Sequence, residues 1–520
     1  MRKKPATIVQ KVLSAFGFEK RSNATTYAGA SGTRLTLDWI ATILSADQEI
    51  RGNLRLLRAR GRELSRNNPI AKNFLNLLAA NVAGPKGIGY QSKVRNNDGK
   101  LATAINPKIE AAFKEWAKKG NCTVDGKLSW RQVQDLALKN VATDGEIFIR
   151  KVRAFEGNKY RFALEMIDAD RCDHLYSVPP TARGGNEIRL GVEVNKWGRP
   201  VAYWINPGHP SDLGGSLQRE RIPADQIIHL FDPERVSQTR GVTWFHPVMM
   251  QLRMLEGYIE AELVAARTGA AKMGWLEYSD PAAYEEPNPD APKLILEANP
   301  GTIETLPPGM KFTAWNPDHP ANAFPQFVIT ILRMIATGLG VSYNALASDL
   351  VGVNYSSMRS GLLIERDQWK RGQSWLIESL CQPVMDDFLT YALLSGELVL
   401  DSRDPAKFSE GKWNPRGWQW VDPLKDAQAA ILSIGARLTS RDAIVSETGE
   451  DIEEIFEAIK QEEDLAEELD LDLTLPAASK PLGAPVDQST EDDKASGGGA
   501  GADAKKNAAL LAATTSEVFQ

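Results

Sequence analysis

A chain of 520 residues is longer than a single hydrophobic core usually grows, so roughly two to four subdomains are expected. With 42% hydrophobic and 25% charged residues the composition is that of an ordinary globular protein. The three cysteines, Cys122, Cys172 and Cys381, lack metal or redox spacing and fit a reducing compartment. The basic start MRKKPATIVQKVLSAFGF is interrupted at Gln10 and Lys11 before a signal core forms, and FVITILRMIATGLGV carries Arg333 and is too short to span a bilayer, so neither secretion by this route nor membrane embedding is expected.

Net charge is −6, but the average hides a split. Residues 442–494 hold 18 Asp and Glu against 3 Lys and Arg, while residues 1–441 hold 56 Lys and Arg against 48 acids. The acidic balance comes from the tail and does not argue against a polyanionic partner for the body.

In chain order, residues 1–46 lack a sustained period and read as a flexible arm, with order beginning near Asp47. In RNNPIAKNFLNLLAANVAG, Asn68 caps, Pro69 suits the first helical position, Ile70, Phe74, Leu77, Leu78 and Val82 form one stripe, and Gly84 ends the helix. Ile109, Phe113 and Trp116 repeat the pattern, as do Val133, Leu136 and Val141 after the cap Ser129. From Glu146 the period changes to two, and LGVEVNKWGRPVAYWI predicts two strands around a turn at Lys196 to Gly198. Residues 247–272 carry the longest helical pattern, a rod of roughly 40 Å. A Pro-rich, strand-poor insertion at 273–320 separates it from a second rod at 322–338. A loop at 341–354 follows, then a helix, the Trp-rich WNPRGWQWVDP, short helices to residue 469, and a tail at 474–505 composed for disorder.

The stretch NYSSMRSGLLIERDQWKR, residues 354–371, tests the idea of a serine nucleophile. It holds no histidine, and Arg359 stays protonated, so Ser356 has no base there. Arg359, Leu363, Arg366 and Lys370 share one helical face, either a basic stripe or a solvated face of intrahelical pairs such as Asp367 with Arg371. IDADRCDH offers Asp168, Asp170, Cys172, Asp173 and His174 as a metal candidate. It mixes hard and soft ligands and has no supporting second cluster, which favours a polar turn after a strand. GPKGIG lacks the lysine-serine ending of a phosphate loop and reads as a helix-ending turn, and the five histidines are scattered. The tryptophans of WNPRGWQWVDP read as packing residues rather than a base-stacking platform.

Six separated segments converge on one family: LRARGRELSRNNPIAKNFLNLLAANVAG; ATDGEIFIRKV; GVEVNKWGRPVAYWI; IPADQIIHLFDPERVSQTRGVTWFHPV; ATGLGVSYNALASDLVGVNYSSMRSGLLIERDQWKR; and WNPRGWQWVDPLKDAQAAILSIGARLTSRDAIVSETGEDIEEIFEAI. In this order, over roughly residues 47–470, the chain resembles the lambda-like portal proteins of tailed bacteriophages. The resemblance implies a mainly helical α+β portal fold: a wing of helices and antiparallel strands (47–246 and 357–423), helical stem (247–272 and 321–340), small clip (273–320), tunnel loop (341–356), helical crown (424–470) and a disordered acidic and Gly-Ala-rich tail from 471. It implies a ring, usually dodecameric, at one capsid vertex, through which DNA is packaged and ejected. The implied partners are further copies of the chain, the terminase large subunit, a head-tail adaptor, the major capsid and scaffolding proteins, and double-stranded DNA passing without sequence specificity. No cofactor, metal or membrane is implied, the location is the virion with the host cytoplasm during assembly, and packaging energy comes from the terminase. The tunnel-loop candidates are Asn344, Ser348, Asp349, Asn354, Tyr355 and Ser356; Arg359, Arg366 and Lys370 are tunnel or interface charges. The rivals are a monomeric DNA- or protein-binding adaptor using Arg359, Arg366 and Lys370, and an enzyme, either a metal-dependent nuclease on Asp168, Asp170 and His174 or a hydrolase on Ser356.

Overall fold

The computed structural model describes residues 43–96, 98–180, 185–212, 218–270, 274–278, 310–314, 323–418, 423–450, 452–469 and 471. The chain divides into two compact units, one comprising residues up to 421 together with 441–452, the other 422–440 with residues from 453 onward. Most of the expected arm (1–42) and of the expected tail (472–520) lies outside the described residues.

The first described helix, α1 (Ala46–Arg51), starts one residue before the expected Asp47, where Ser45 accepts from the Gln48 amide and caps it. Helices α2 (Leu54–Asn67) and α3 (Pro69–Leu78) meet at Asn68, whose side chain accepts from the Ile70 and Ala71 amides while Pro69 takes the first turn, as the sequence predicts. A π turn at Ala79–Ala83 ends at Gly84, followed by β1 (Gly89–Ser92), α4 (Asn106–Trp116) and α5 (Trp130–Asp144), the last opened by a Ser129–Gln132 capping box.

β2 (Glu146–Arg153) is the centre of an antiparallel sheet between β3 (Phe162–Ile167) and a later strand, β8 (Ile227–Phe231). A second antiparallel sheet runs in order through β4 (Glu187–Arg189), β5 (Val192–Val194), β6 (Pro200–Ile205) and β7 (Glu220–Pro223). The expected hairpin is β5–β6, where Asn195 accepts from the Trp197 and Arg199 amides.

α6 (Met249–Ala270) leads to β9 (Gly274–Tyr278), which pairs antiparallel with β10 (Met310–Ala314). The insertion therefore opens and closes on strands, correcting the strand-poor reading: WLEY and KFTA alternate too briefly to stand out beside the prolines. Its remaining residues, 279–309 and 315–320, lie outside the described ones. α7 (Phe324–Leu339), a short α8 (Tyr343–Ala347) and α9 (Tyr355–Leu376) follow; α9 continues through a π turn into α10 (Gln382–Ser395). β11 (Gly411–Asn414) returns to pair with β1, so the first and last parts of this unit close on each other. α11 (Pro423–Gly435), α12 (Arg441–Glu447) and α13 (Ile452–Glu468) are the short helices expected up to residue 469, and α12 belongs to the larger unit.

The mainly aliphatic core of the larger unit contains an aromatic cluster. Trp116 is fully buried, stacks on Phe113 and Phe162, and donates its indole N–H to the Phe162 carbonyl at 2.8 Å. Trp413 packs on Tyr90 with ring centroids 5.0 Å apart and Trp418 packs against the same core, as read for these two residues, while Trp420 lies outside the described residues.

Candidate functional site

Among the described residues, a buried charge cluster and the segment between α7 and α9 both carry polar organisation. The cluster joins three of the quoted motifs. Arg58, on the buried face of α2, and Arg240, in the loop after β8, both reach Glu146 at the head of β2; Arg240 Nε donates to Glu146 Oε1 at 2.7 Å. All three side chains are 1% exposed or less. His229 lies 2.8 Å from Glu146 Oε2, which also accepts the Gly241 amide at 2.9 Å. Burial alone would raise the Glu146 carboxyl, but Arg240, Arg58 and His229 outweigh it and hold it well below the usual carboxylate range. Burial pushes the His229 imidazole down despite Glu146.

The backbone leaves no alternative at this junction. Gly145 has φ +92°, and a Cβ there would stand 2.4 Å from the Val242 carbonyl carbon; a Cβ on Gly241 would stand 2.0 Å from the Gly145 oxygen. The two glycines let the α5–β2 turn and the 240 loop touch, which brings Arg240 onto Glu146.

One turn further along α2, Arg62 grips Asp144 with two bonds of 2.8 and 2.7 Å and reaches Asp170 at 2.6 Å and Asp168 at 3.1 Å. Asp168, Asp170 and His209 hold ligand atoms within 4.8 Å of one another. Arg62 and Arg58 already face these carboxylates, so a divalent cation would sit against two guanidinium groups, and the set does not suit one. The other members of the sequence-derived metal candidate diverge: Asp173 pairs with Arg219 at 2.6 Å, and burial pushes the Cys172 thiol up to about 11. Asp168 caps, and Asp170 lies within, the polar turn after β3 (Ala169–Arg171) that the sequence predicts.

Between α7 and α9 the expected loop contains α8, so Asn344 is a half-buried helical residue and not a loop residue. Ser342 caps α8 and donates to Glu365 Oε2 on α9 at 2.8 Å, while Asn73 on α3 donates to the Ala345 and Leu346 carbonyls at 3.0 and 2.9 Å. Ser348 ends α8 in the left-handed region, exposed. Asp349 accepts the Tyr343 hydroxyl at 2.6 Å and the Val351 amide at 2.9 Å, bonds that lower its carboxyl. Leu350 and Val351 form a tip 65% and 90% exposed. Asn354 caps α9 by accepting the Ser357 amide. Tyr355 and Ser356 begin α9; their side chains lie outside the description.

The basic stripe on α9 is divided. Arg359 is half-buried, Arg366 lies over the Trp418 ring at 5.8 Å, and Lys370 is exposed. The intrahelical Asp367–Arg371 pair gives way to Arg371 and Asp232, 3.9 Å apart. His209, His229 and His246 face Asp170, Glu146 and Glu234. The segment thus presents an apolar and polar tip on a braced base.

Residues 32–373 match the family described as phage portal protein, lambda family. The chain belongs to that family. Among curated relatives, this portal chain is 36% identical over 447 residues to a probable portal protein of Halomonas phage phiHAP-1, covering 84% of this chain and 86% of that protein. It is 24% identical over 531 residues to portal protein B of Escherichia phage lambda, covering 91% and 96%. A solved chain from the neck of a native gene transfer agent particle aligns at 12% identity and TM-score 0.40 over 74% of this chain and 92% of that one. None of the described helices is long and apolar enough to cross a membrane. The cluster of Arg58, Glu146, Arg240 and His229 lies inside the matched region yet was not singled out in sequence. A signal for it existed in a lone acid opening the apolar strand EIFI and in arginines four apart in LRARGREL.

Proposed function

We propose that the chain assembles into a closed, dodecameric ring at one capsid vertex and acts there as the conduit for DNA packaging and ejection, without catalysis of its own. The observation that carries this reading is apolar surface on the long helices. On α6, Met250 and Met254 are 63% and 69% exposed, with Ile259, Leu263 and Val264 also open; Phe327 and Met334 on α7 and Leu363 and Ile364 on α9 are at least half exposed. The opposite faces of α6 and α7 are already spent on the core through Leu252, Leu255 and Ile335. Covering the five open side chains of α6 alone represents on the order of 10 kcal/mol of gross burial per copy, before ordering costs. Two different faces meeting head to tail generate a ring when the rotation closes.

In this reading α6 and α7 form the stem, β9, β10 and the residues between them the clip that docks the terminase large subunit and the head-tail adaptor, and the sheets with α1–α5, α9 and α10 the wing that faces capsid and scaffolding proteins. The C-terminal helices form the crown. Residues 341–356 form the tunnel loop, with Ser348, Asp349 and Asn354 toward the DNA and Arg359, Arg366 and Lys370 at interfaces. A loop that gripped phosphates through many cations would slow DNA, and Leu350 and Val351 at its tip suit passage better. The test is Met254→Glu with Leu263→Glu: the fold by far-UV circular dichroism is kept and the particle mass falls to that of single chains. Rings that persist with these charges overturn the assignment of the interface.

A further inference from the structure

A cleft of about 270 Å³ opens between α2, α3 and α5, and it shares no lining residue with the segment 341–356. It holds two acids, and both are spent: Arg62 takes both oxygens of Asp144, at 2.8 and 2.7 Å, and reaches Asp168 at 3.1 Å. Three further cations line the cleft, Arg66 from α2, Lys72 from α3 and Lys139 from α5. None of the three forms an ion pair among the described residues; Asp135, whose carboxyl Lys139 influences, is held by Arg131 at 2.7 Å. Elsewhere this unit matches its half-buried cations with carboxylates, Arg153 with Asp387, Arg219 with Asp173 and Arg221 with Glu193.

Three like charges around one cleft repel one another, and a bound anion relieves them. Thr143 and Asn140 line the cleft too and bring a hydroxyl and an amide. The row of cations continues along α2: Arg55 precedes Arg62 by 7 positions and Arg66 by 11, near two and three full turns, so the three share a face about 16 Å long. Arg55 is exposed and also forms no ion pair among the described residues. A carboxylate takes the flat two-pronged grip of an arginine, as Asp144 takes Arg62, whereas lysines act as point charges and suit a phosphate, which also accepts from hydroxyls and amides. A face about 16 Å long matches the axial rise of about five phosphates of one duplex strand.

We propose that the cleft between α2, α3 and α5 is a binding site for the phosphodiester backbone of duplex DNA, with Arg66, Lys72 and Lys139 around one phosphate and Arg55 on a neighbouring one. Contacts to phosphate alone carry no base sequence, so the site holds any duplex and weakens steeply with salt. It is separate from the conduit assigned to residues 341–356 and does not depend on ring assembly.

Binding of the full chain to a labelled, covalently closed circular duplex tests it across a salt series, since a circle has no end to thread through a closed ring. The cleft variant Arg66→Gln, Lys72→Gln, Lys139→Gln is compared with Lys86→Gln, Lys108→Gln, Lys119→Gln, which removes the same charge from exposed lysines outside the cleft. Urea midpoints check that both variants keep the fold. The proposal expects the cleft variant to lose about tenfold or more in affinity near 0.1 M salt, with the salt slope shallower by about 2 to 3, and the control variant to change the slope by less than about 1. Equal losses in the two variants, or a parent chain that does not bind the circle, overturn it. Pyrophosphate or poly-glutamate that binds the parent and not the cleft variant, while circle binding is unchanged, assigns the cleft to a small phosphate or to an acidic protein instead and overturns the DNA assignment.

Discussion

Replacing Glu146 by Gln removes one charge from the centre of the buried cluster and keeps its shape. Two guanidinium groups, Arg58 and Arg240, then share a site that is 1% exposed or less, with Asp170 and Asp144, both also held by Arg62, as the acids left near Arg58 to offset them. At an effective dielectric of about 20, each guanidinium–carboxylate attraction across about 4 Å is about 4 kcal/mol, most of which is offset by the desolvation of the ions. What remains on breaking such a site is about 3–5 kcal/mol, because the partner charges stay buried without compensation. The assay is urea unfolding of the wing transition followed by tryptophan fluorescence, with the midpoint falling and the slope unchanged. The triple change Arg58→Met, Glu146→Leu, Arg240→Met is expected to recover most of the loss, since a well-packed apolar set of similar volume replaces a buried ion cluster at little cost. A Glu146→Gln variant within about 0.5 kcal/mol of the parent would refute the claim that this cluster ties α2, β2 and the 240 loop together.

Further outcomes follow from the same geometry. His229 and Glu146 both have folded-state pKa values below their ordinary ones, so the unfolded chain binds protons first on acidification; stability is fully present above about pH 6.5 and falls below it, first through His229 and then below about 4.5 through Glu146. Urea midpoints measured from pH 8 to 4 check this, and a midpoint that rises on acidification contradicts it. Gly145→Ala forces a Cβ to within 2.4 Å of the Val242 backbone at positive φ and is expected to cost more than about 3 kcal/mol, read as loss of soluble protein or a large midpoint drop. Tyr343→Phe removes the bond to Asp349 and is expected to cost about 1 kcal/mol locally, quickening hydrogen exchange in 348–353 and leaving the global midpoint in place.

Local signals in the sequence were sufficient where structure is decided locally. Asn68 followed by Pro69, the Ser129 cap, and the turn inside LGVEVNKWGRPVAYWI each place an element boundary through bonds spanning a few residues. The long helices were legible from sustained periodicity. What escaped was either too short or too distant. α8 has five residues, fewer than two turns, and is held by Asn73 from 272 positions away. β9 and β10 need each other across the insertion to be strands. Arg58 and Arg240 meet Glu146 across 88 and 94 positions, and nothing in a single sequence brings charges so far apart together. The α9 stripe looked uniform by spacing, but spacing gives no view of Trp418, which takes Arg366 out of it.

The central claim is the ring. Light scattering of the purified chain, with negative-stain images of the same peak, tests it most directly. The account predicts a particle of about twelve chain masses with a central hole, built through the open faces of α6, α7 and α9. A chain that stays monomeric at high concentration, with those apolar faces still open to solvent, would contradict it.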